Sequence, residues 1–401
     1  MRIDMKIFLV AVATFVTAAT AWAGERSIKI GVLTDLTSFA SRSAGRGSVD
    51  AVRIAVADFG GSVLGKPVEV EAADMQSKPD LAVEIARRWY ERENVDVIVD
   101  VPNSAGALAI RGLATAGKRV FIPTIAASAA ITGKGCSPFT IHWVVNSTAI
   151  ARAFVNALSE DGARTWFLLM PDYAIGKAFA ADARRYIESV HGKVVDTVFF
   201  PVNSGDFSQF VLRAQASGAD AIATGAIGTD LSNLIRQAHE FGVLPSSKQR
   251  LAAFVITASE IHGTGLETMQ GVWAMQDFYW DQNADTRAFA KKFFAIEHRM
   301  PDFTHAGNYA AVMAYLNAVK AVGTDDAAMV VARLKDGTIS RFGVPSTIRA
   351  DGRAIFNVEL YRVKSPAASK GPWDVLKPVR AIDGREIFDP ISPQCDLTTA
   401  N

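Results

Sequence analysis

"VDVIVDVPNSAGALAI", residues 95–110, decides how the chain is read. Val95 to Val101 is an apolar, β-branched run of the kind found in buried strands. It stops at Pro102-Asn103-Ser104-Ala105-Gly106, and a helix-like segment follows from Ala107 to about Ala116. Proline ends a strand and Asn or Ser caps a helix, so the stretch is a strand–turn–helix unit of a parallel sheet. Two readings of the turn stand side by side. It is an ordinary capping turn, or its small hydroxyl residues and free backbone N–H groups make a carboxylate site at a helix N-terminus.

The same alternation runs outward in both directions. Strand patterns at 27–34, 68–74 and 119–124 frame helical patterns at 48–59 and 80–93. A second series follows, with helices at 148–160, 177–190, 206–216 and 230–241 and strands at 165–170, 193–200, 220–225 and 250–257. This is a helix-covered parallel sheet made twice, with no sequence repeat between the halves. From Gly271 the order changes: a strand pattern over 271–280, helices at 285–299 and 307–322, then "AAMVVARLKD" and a β-rich end, "AIFNVELYRV". The late helices are expected to pack back on the first unit. At 401 residues the chain exceeds one simple core, which also favours two units.

Composition narrows the function. Only 21% of residues are charged and 49% are apolar, as in a well-packed globular protein, and a net charge of +1 without a basic run leaves no footprint for nucleic acid. The first residues carry Arg2 and Lys6, an apolar run from Ile7, and Ala21-Trp22-Ala23, an A-x-A cleavage pattern. Residues 1–23 therefore read as a secretory signal peptide rather than an anchor, and the protein is expected in a periplasm. Export makes the only two cysteines, Cys136 and Cys395, better suited to a disulfide than to a metal.

The six histidines are scattered, with no HExxH, no GxSxG elbow and no Walker loop. Gly45-x-Gly47 and Gly225-x-x-Gly228 do not make a dinucleotide fingerprint. No enzyme, metal or cofactor is expected. The loops that follow strands are instead rich in small hydroxyl residues and aromatics: "TDLTSFASRSAG" (34–45), "PNSAG" (102–106), "TIAASAAIT" (124–132), "MPDYAIG" (170–176) and "GAIGTD" (225–230). Ligands of parallel sheets bind outside the carboxyl ends of strands, where these loops lie.

"IKIGVLTDLTS", "DLAVEIARRWYERENVDVIVDVPNSAGALAI", "PDYAIGKAFAADARRYI", "DFSQFVLRAQASGADAI", "LIRQAHEFG" and "ADGRAIFNVELYRVK" together carry a resemblance. The mature chain resembles the type I periplasmic solute-binding proteins of ABC transporters, in the branched-chain amino acid class. It is most similar to a subgroup with members that take up aromatic acids. Its "GKGCSP" and "SPQC" are similar to that subgroup's tail linkage.

The resemblance implies two doubly wound α/β lobes joined by three crossovers, closing like a jaw on a ligand. Lobe one would be 27–142 plus 276–342, and lobe two 143–275 plus 343–395. It implies a carboxylate clamp from Ser104 and the Ala126–Ser128 segment, with Asn103 in the same turn. Tyr173, Ile175, Ile227 and Gly228 would face it. Ile227 and Gly228 replace tyrosines of amino acid binders and leave room for a bulkier ligand. No acidic residue aligns with the one that holds a ligand ammonium; Glu260 lies nearby but needs a two-residue shift.

Phe39 and Arg42 in the first loop, and His305 at a helix start where the lobes should meet, complete the candidates. Arg42 is either a solvated charge or a carboxylate partner, and His305 is either a ligand contact or a structural histidine. The expectation is a monomeric, exported, non-enzymatic binder that delivers a small carboxylate, aromatic in type, to ABC permease subunits. The alternatives are an amino acid binder and a ligand sensor on the same fold.

Overall fold

The computed structural model describes residues 26–38, 40–133, 136–245 and 248–397. The expected signal peptide and Phe39 lie outside the described residues.

The first sandwich opens with β1 (Ile28–Thr34), α1 (Gly45–Phe59), β2 (Ser62–Val63) and β3 (Lys66–Asp74). It continues with α2 (Pro79–Glu91), β4 (Val97–Asp100), α3 (Ser104–Ala116) and β5 (Val120–Pro123). Its sheet order is β2-β3-β1-β4-β5, parallel except for the β2–β3 hairpin. Side chains of a strand alternate between faces, and here both faces are covered. Val97 and Val99 enter the core beside Val49 and Val52 of α1, whereas Ile98 enters a separate core beside Ile85 and Trp89 of α2. Full burial of each such side chain contributes roughly 1.5–3 kcal/mol. Gly31 is needed in the middle of β1, because a Cβ there would lie 2.6 Å from the Trp89 ring.

The second sandwich contains α4 (Ser147–Glu160), β6 (Thr165–Pro171), α5 (Ala174–Ser189), β7 (Lys193–Phe200) and α6 (Ser208–Ala216). Next come β8 (Ala221–Thr224), α7 (Gly228–Glu240), β9 (Arg250–Ala253), α8 (Ala258–Thr264), α9 (Leu266–Met269) and β10 (Trp273–Gln276). The chain then returns to the first sandwich for α10 (Ala284–Glu297), α11 (Phe303–Val322) and α12 (Ala327–Lys335). A small sheet follows, of β11 (Thr338–Arg341), β12 (Val344–Ile348) and β13 (Ala354–Ile355). Finally β14 (Val358–Val363), β15 (Leu376–Ile382) and α13 (Gly384–Ile387) join the second sandwich. The second sheet runs β15-β14-β10-β9-β8-β6-β7, parallel except for β14, which is antiparallel to both its neighbours, β10 and β15.

Three crossings thus connect the sandwiches, after β5, β10 and β13. The late helices do pack on the first sandwich, α11 and α10 lying against α1. The expected seam at 342/343 falls inside the β11–β12 hairpin. That hairpin contacts α11 and α12, so 344–355 travels with the first sandwich until the chain rejoins the second at Val358. Antiparallel pairing explains the difference, since β12 is registered residue by residue on β11.

Buried charges pin the crossings together. Arg353 donates from Nη1 to His142 Nδ1 at 2.8 Å, from Nε to Ala354 O at 3.0 Å, and from Nη2 to Val144 O. Arg341 pairs with Asp277 at 2.7 Å and donates to Trp143 O at 3.2 Å. Cys136 and Cys395 are bonded, with Cα atoms 5.3 Å apart. The bridge closes a separation of 259 residues, which in a loop-entropy account stabilises by about 5 kcal/mol.

Candidate functional site

Each parallel sheet is filled first to one side and then to the other, so its order reverses between β1 and β4 and again between β6 and β8. Such reversal points hold crevices at the carboxyl ends of strands. The loops after these four strands carry Arg42, Asn103–Ser104, Tyr173 and Ile227. A cavity of about 870 Å³ lies beside the second and third crossings, lined by Asp277, Tyr279, Arg341, Glu359 and Trp373 among others. Ser104, Ser128 and Tyr173 of the strand-end loops are not among its lining residues.

The turn after β4 shows which residue of 102–106 caps the helix. Asn103 is the cap of α3: its Oδ1 accepts the Gly106 N–H at 3.0 Å. Ser104 is the first helical residue, half-buried, and its hydroxyl has no hydrogen-bond partner among the described residues. The backbone ahead of it is strained, since Asp100 and Val101 have φ of 79° and 58°. Non-glycine residues in the left-handed region cost about 1–3 kcal/mol each, and a β-branched valine is especially unsuited.

Beneath this turn lies a buried polar network. Asp100 Oδ1 accepts from Asn308 Nδ2 at 2.7 Å and from Ser48 Oγ at 3.1 Å, while Thr124 Oγ1 donates to Asn308 Oδ1 at 2.8 Å. Asp100 Oδ2 has no hydrogen-bond partner among the described residues. Burial raises the Asp100 carboxyl to about 6. None of Asp100, Asn308 and Ser48 was a sequence candidate; an aspartate closing the run "VIVD" was the available signal.

The loop after β5 is firmly held. Ala126 O accepts from His142 Nε2 at 2.7 Å, because Arg353 can only donate and so makes Nδ1 the acceptor. Ser128 Oγ caps the short 3₁₀ turn Ala129–Ile131, accepting from Ala130 N at 3.4 Å, and remains part-exposed.

On the facing sandwich, Tyr173 precedes α5 in extended conformation and is half-buried. Burial, with Asp230 nearby, pushes its phenol up to about 12, so the hydroxyl stays a donor. Ile175 packs partly against the main core. Ile227 precedes α7, and Gly228 follows with φ of 58°, where a side chain would be strained. Glu260, in the first turn of α8, is buried. Its Oε1 accepts Gly228 N at 2.5 Å, and its Oε2 accepts Thr257 N at 2.7 Å and Thr257 Oγ1 at 2.9 Å. The sandwiches touch where Ser259 N donates to Asp302 Oδ1 at 3.3 Å.

Two candidates take other positions. His305 has no exposed surface from which to touch a ligand in this conformation; its Nδ1 accepts Asp302 N at 3.0 Å in the first turn of α11. Burial and Arg299 hold its ring well below the usual range, hence neutral. Arg42 is exposed, and its backbone carbonyl accepts from Arg299 Nη1 at 3.0 Å. Among the described residues no cluster of metal-ligating side chains occurs, and no helix is long and apolar enough to cross a membrane.

Two layered sandwiches, three crossings and facing strand-end loops are the architecture of a type I periplasmic binding protein. The chain belongs to the periplasmic binding protein family, which matches residues 27–371. It is 40% identical to a branched chain amino acid ABC transporter periplasmic ligand-binding protein from Burkholderia xenovorans LB400, covering 91% of this chain and 97% of that one with a TM-score of 0.85. An ABC transporter solute binding protein from R. palustris in complex with benzoate shares the fold at 19% identity, with 93% and 100% covered and a TM-score of 0.80. Leu/Ile/Val-binding protein homolog 6 of Brucella suis is 24% identical over 220 residues, 54% of this chain and 55% of the relative, so the chain spans about half the length of the curated relatives it matches.

Proposed function

We propose that this periplasmic binding protein is exported, captures a small carboxylate of aromatic type between its sandwiches, and delivers it to the permease of an ABC importer. The observation that carries this reading is the free hydroxyl of Ser104 at the first position of a 13-residue helix whose cap is supplied by Asn103. A helix N-terminus with an unoccupied hydroxyl favours an anion by dipole and hydrogen bond together. Tyr173 supplies a ring from the opposite side, and offset stacking adds on the order of 0.5–1.5 kcal/mol beyond burial. Lobe closure over the acid is driven by the contacts made only in the closed form.

Glu260 argues against an amine. Three of its roughly four lone-pair sites already accept from Gly228 and Thr257, so an ammonium would find at most one acceptor there. A poorly paired buried ammonium costs several kcal/mol. An amino acid ligand is the competing reading, favoured by the name of the 40% identical relative; Asp302 Oδ2, without a hydrogen-bond partner among the described residues, is already faced by Arg299 Nη1 at 3.8 Å. Calorimetric titration decides between them. Benzoate or cinnamate should bind and leucine should not; micromolar leucine binding with no response to any aromatic acid returns the protein to the amino acid branch.

A further inference from the structure

We propose that Asp100 is a proton-linked positioning residue for the carboxylate turn: its buried carboxyl must be neutral when an acid ligand occupies the turn, so capture of the ligand takes up one proton. This inference rests on the carboxylate reading above and adds a regulatory property to that site.

The geometry is local and specific. Asp100 ends β4, two residues before Pro102, and is fully buried. Ser48 of α1 and Asn308 of α11 both donate to its Oδ1, leaving Oδ2 bare. Thr34, at the end of β1, lies close enough to favour the ionised form, though its hydroxyl already accepts Gly45 N at 2.9 Å. Asp35, on the same strand end, adds a like charge. On α11 His305, three residues before Asn308, is neutral, and just after β5 the neighbour is the uncharged Thr124. No lysine or arginine is among the main influences on this carboxyl.

The same residue holds the turn's strained backbone. Asp100 O accepts Thr124 N at 3.1 Å and Val101 N donates to Leu33 O at 2.9 Å, fixing the left-handed pair that aims Asn103 and Ser104. A carboxylate arriving at Ser104 would be a second anion a few residues from Asp100. Two close carboxylates disfavour joint ionisation, so the ligand anion, ionised Asp100 and one proton from solvent combine to give the bound anion over a neutral acid.

The test is isothermal titration of the intact exported protein with benzoate at pH 7.5, in phosphate and in Tris. The expected result is a heat that differs between buffers by the equivalent of 0.5–1 proton taken up on the order of each benzoate bound, with affinity falling up to about tenfold per pH unit above pH 6.5. Asp100→Asn should bind benzoate without proton uptake and without that pH slope. Binding by the wild type with equal heats in both buffers overturns the proposal and leaves the carboxylate reading standing, as does uptake that persists in Asp100→Asn. Absence of benzoate binding at every pH overturns both together. Should the variant fail to fold, the wild-type buffer comparison alone decides.

Discussion

Glu260 and Gly228 are joined across 32 positions of sequence by a 2.5 Å hydrogen bond from the glycine N–H to Oε1. The bond ties the start of α8 to the start of α7. Glu260 is therefore a strut beneath Ile227 rather than a free acid. Glu260→Ala removes three hydrogen bonds to a buried carboxylate and should lower stability by about 2–3 kcal/mol in urea unfolding. It should not create leucine binding, and a gain of leucine affinity on removing the carboxylate would contradict this role.

Ser104 and Asn103 divide two tasks. Ser104→Ala should weaken benzoate binding by ~1.5–3 kcal/mol while leaving the melting temperature unchanged. Asn103→Ala should do the reverse in stability, costing about 1 kcal/mol through loss of the α3 cap. Unchanged affinity in Ser104→Ala, measured by the same calorimetry, would remove the hydroxyl from the site.

Asp100 makes stability depend on pH even without ligand. Its carboxyl is raised from 3.8 to about 6, so the folded state holds the proton more tightly than the unfolded chain. The favourable contribution is complete below pH 3.8 and lost as pH rises through about 6, a difference of roughly 3 kcal/mol. Asp100→Asn should flatten that segment of the stability profile relative to wild type, read from urea midpoints between pH 4 and 7.

The Cys136–Cys395 bridge fastens the tail to the loop that follows the 3₁₀ turn after β5. Reduction, or the double change Cys136→Ser and Cys395→Ser, should cost several kcal/mol of stability, with about 5 as the loop-entropy limit. Benzoate affinity should change little, because Cys136 lies outside the residues proposed to contact the acid. Mapping of the protein without reductant should recover the two cysteines in one linked peptide pair.

What the sequence determined by itself was local and periodic. Alternating apolar strands and amphipathic helices prescribe two parallel sheets, and the polar, small-residue loops mark where strands end, because those patterns depend only on neighbours a turn or a strand away. The turn at 102–106 was legible for the same reason, down to Asn or Ser as its cap. Tertiary structure alone decided which residue capped and which stayed free, and it placed the return to the second sandwich at Val358, after a hairpin that pairs residue by residue. It also buried His305, gave Glu260 Oε1 a donor from Gly228, 32 positions away, and set Asp100 against Asn308, 208 positions away. Hydrogen-bond partners and burial are properties of three-dimensional neighbours, and a linear pattern records the periodicity of a face without recording what that face meets.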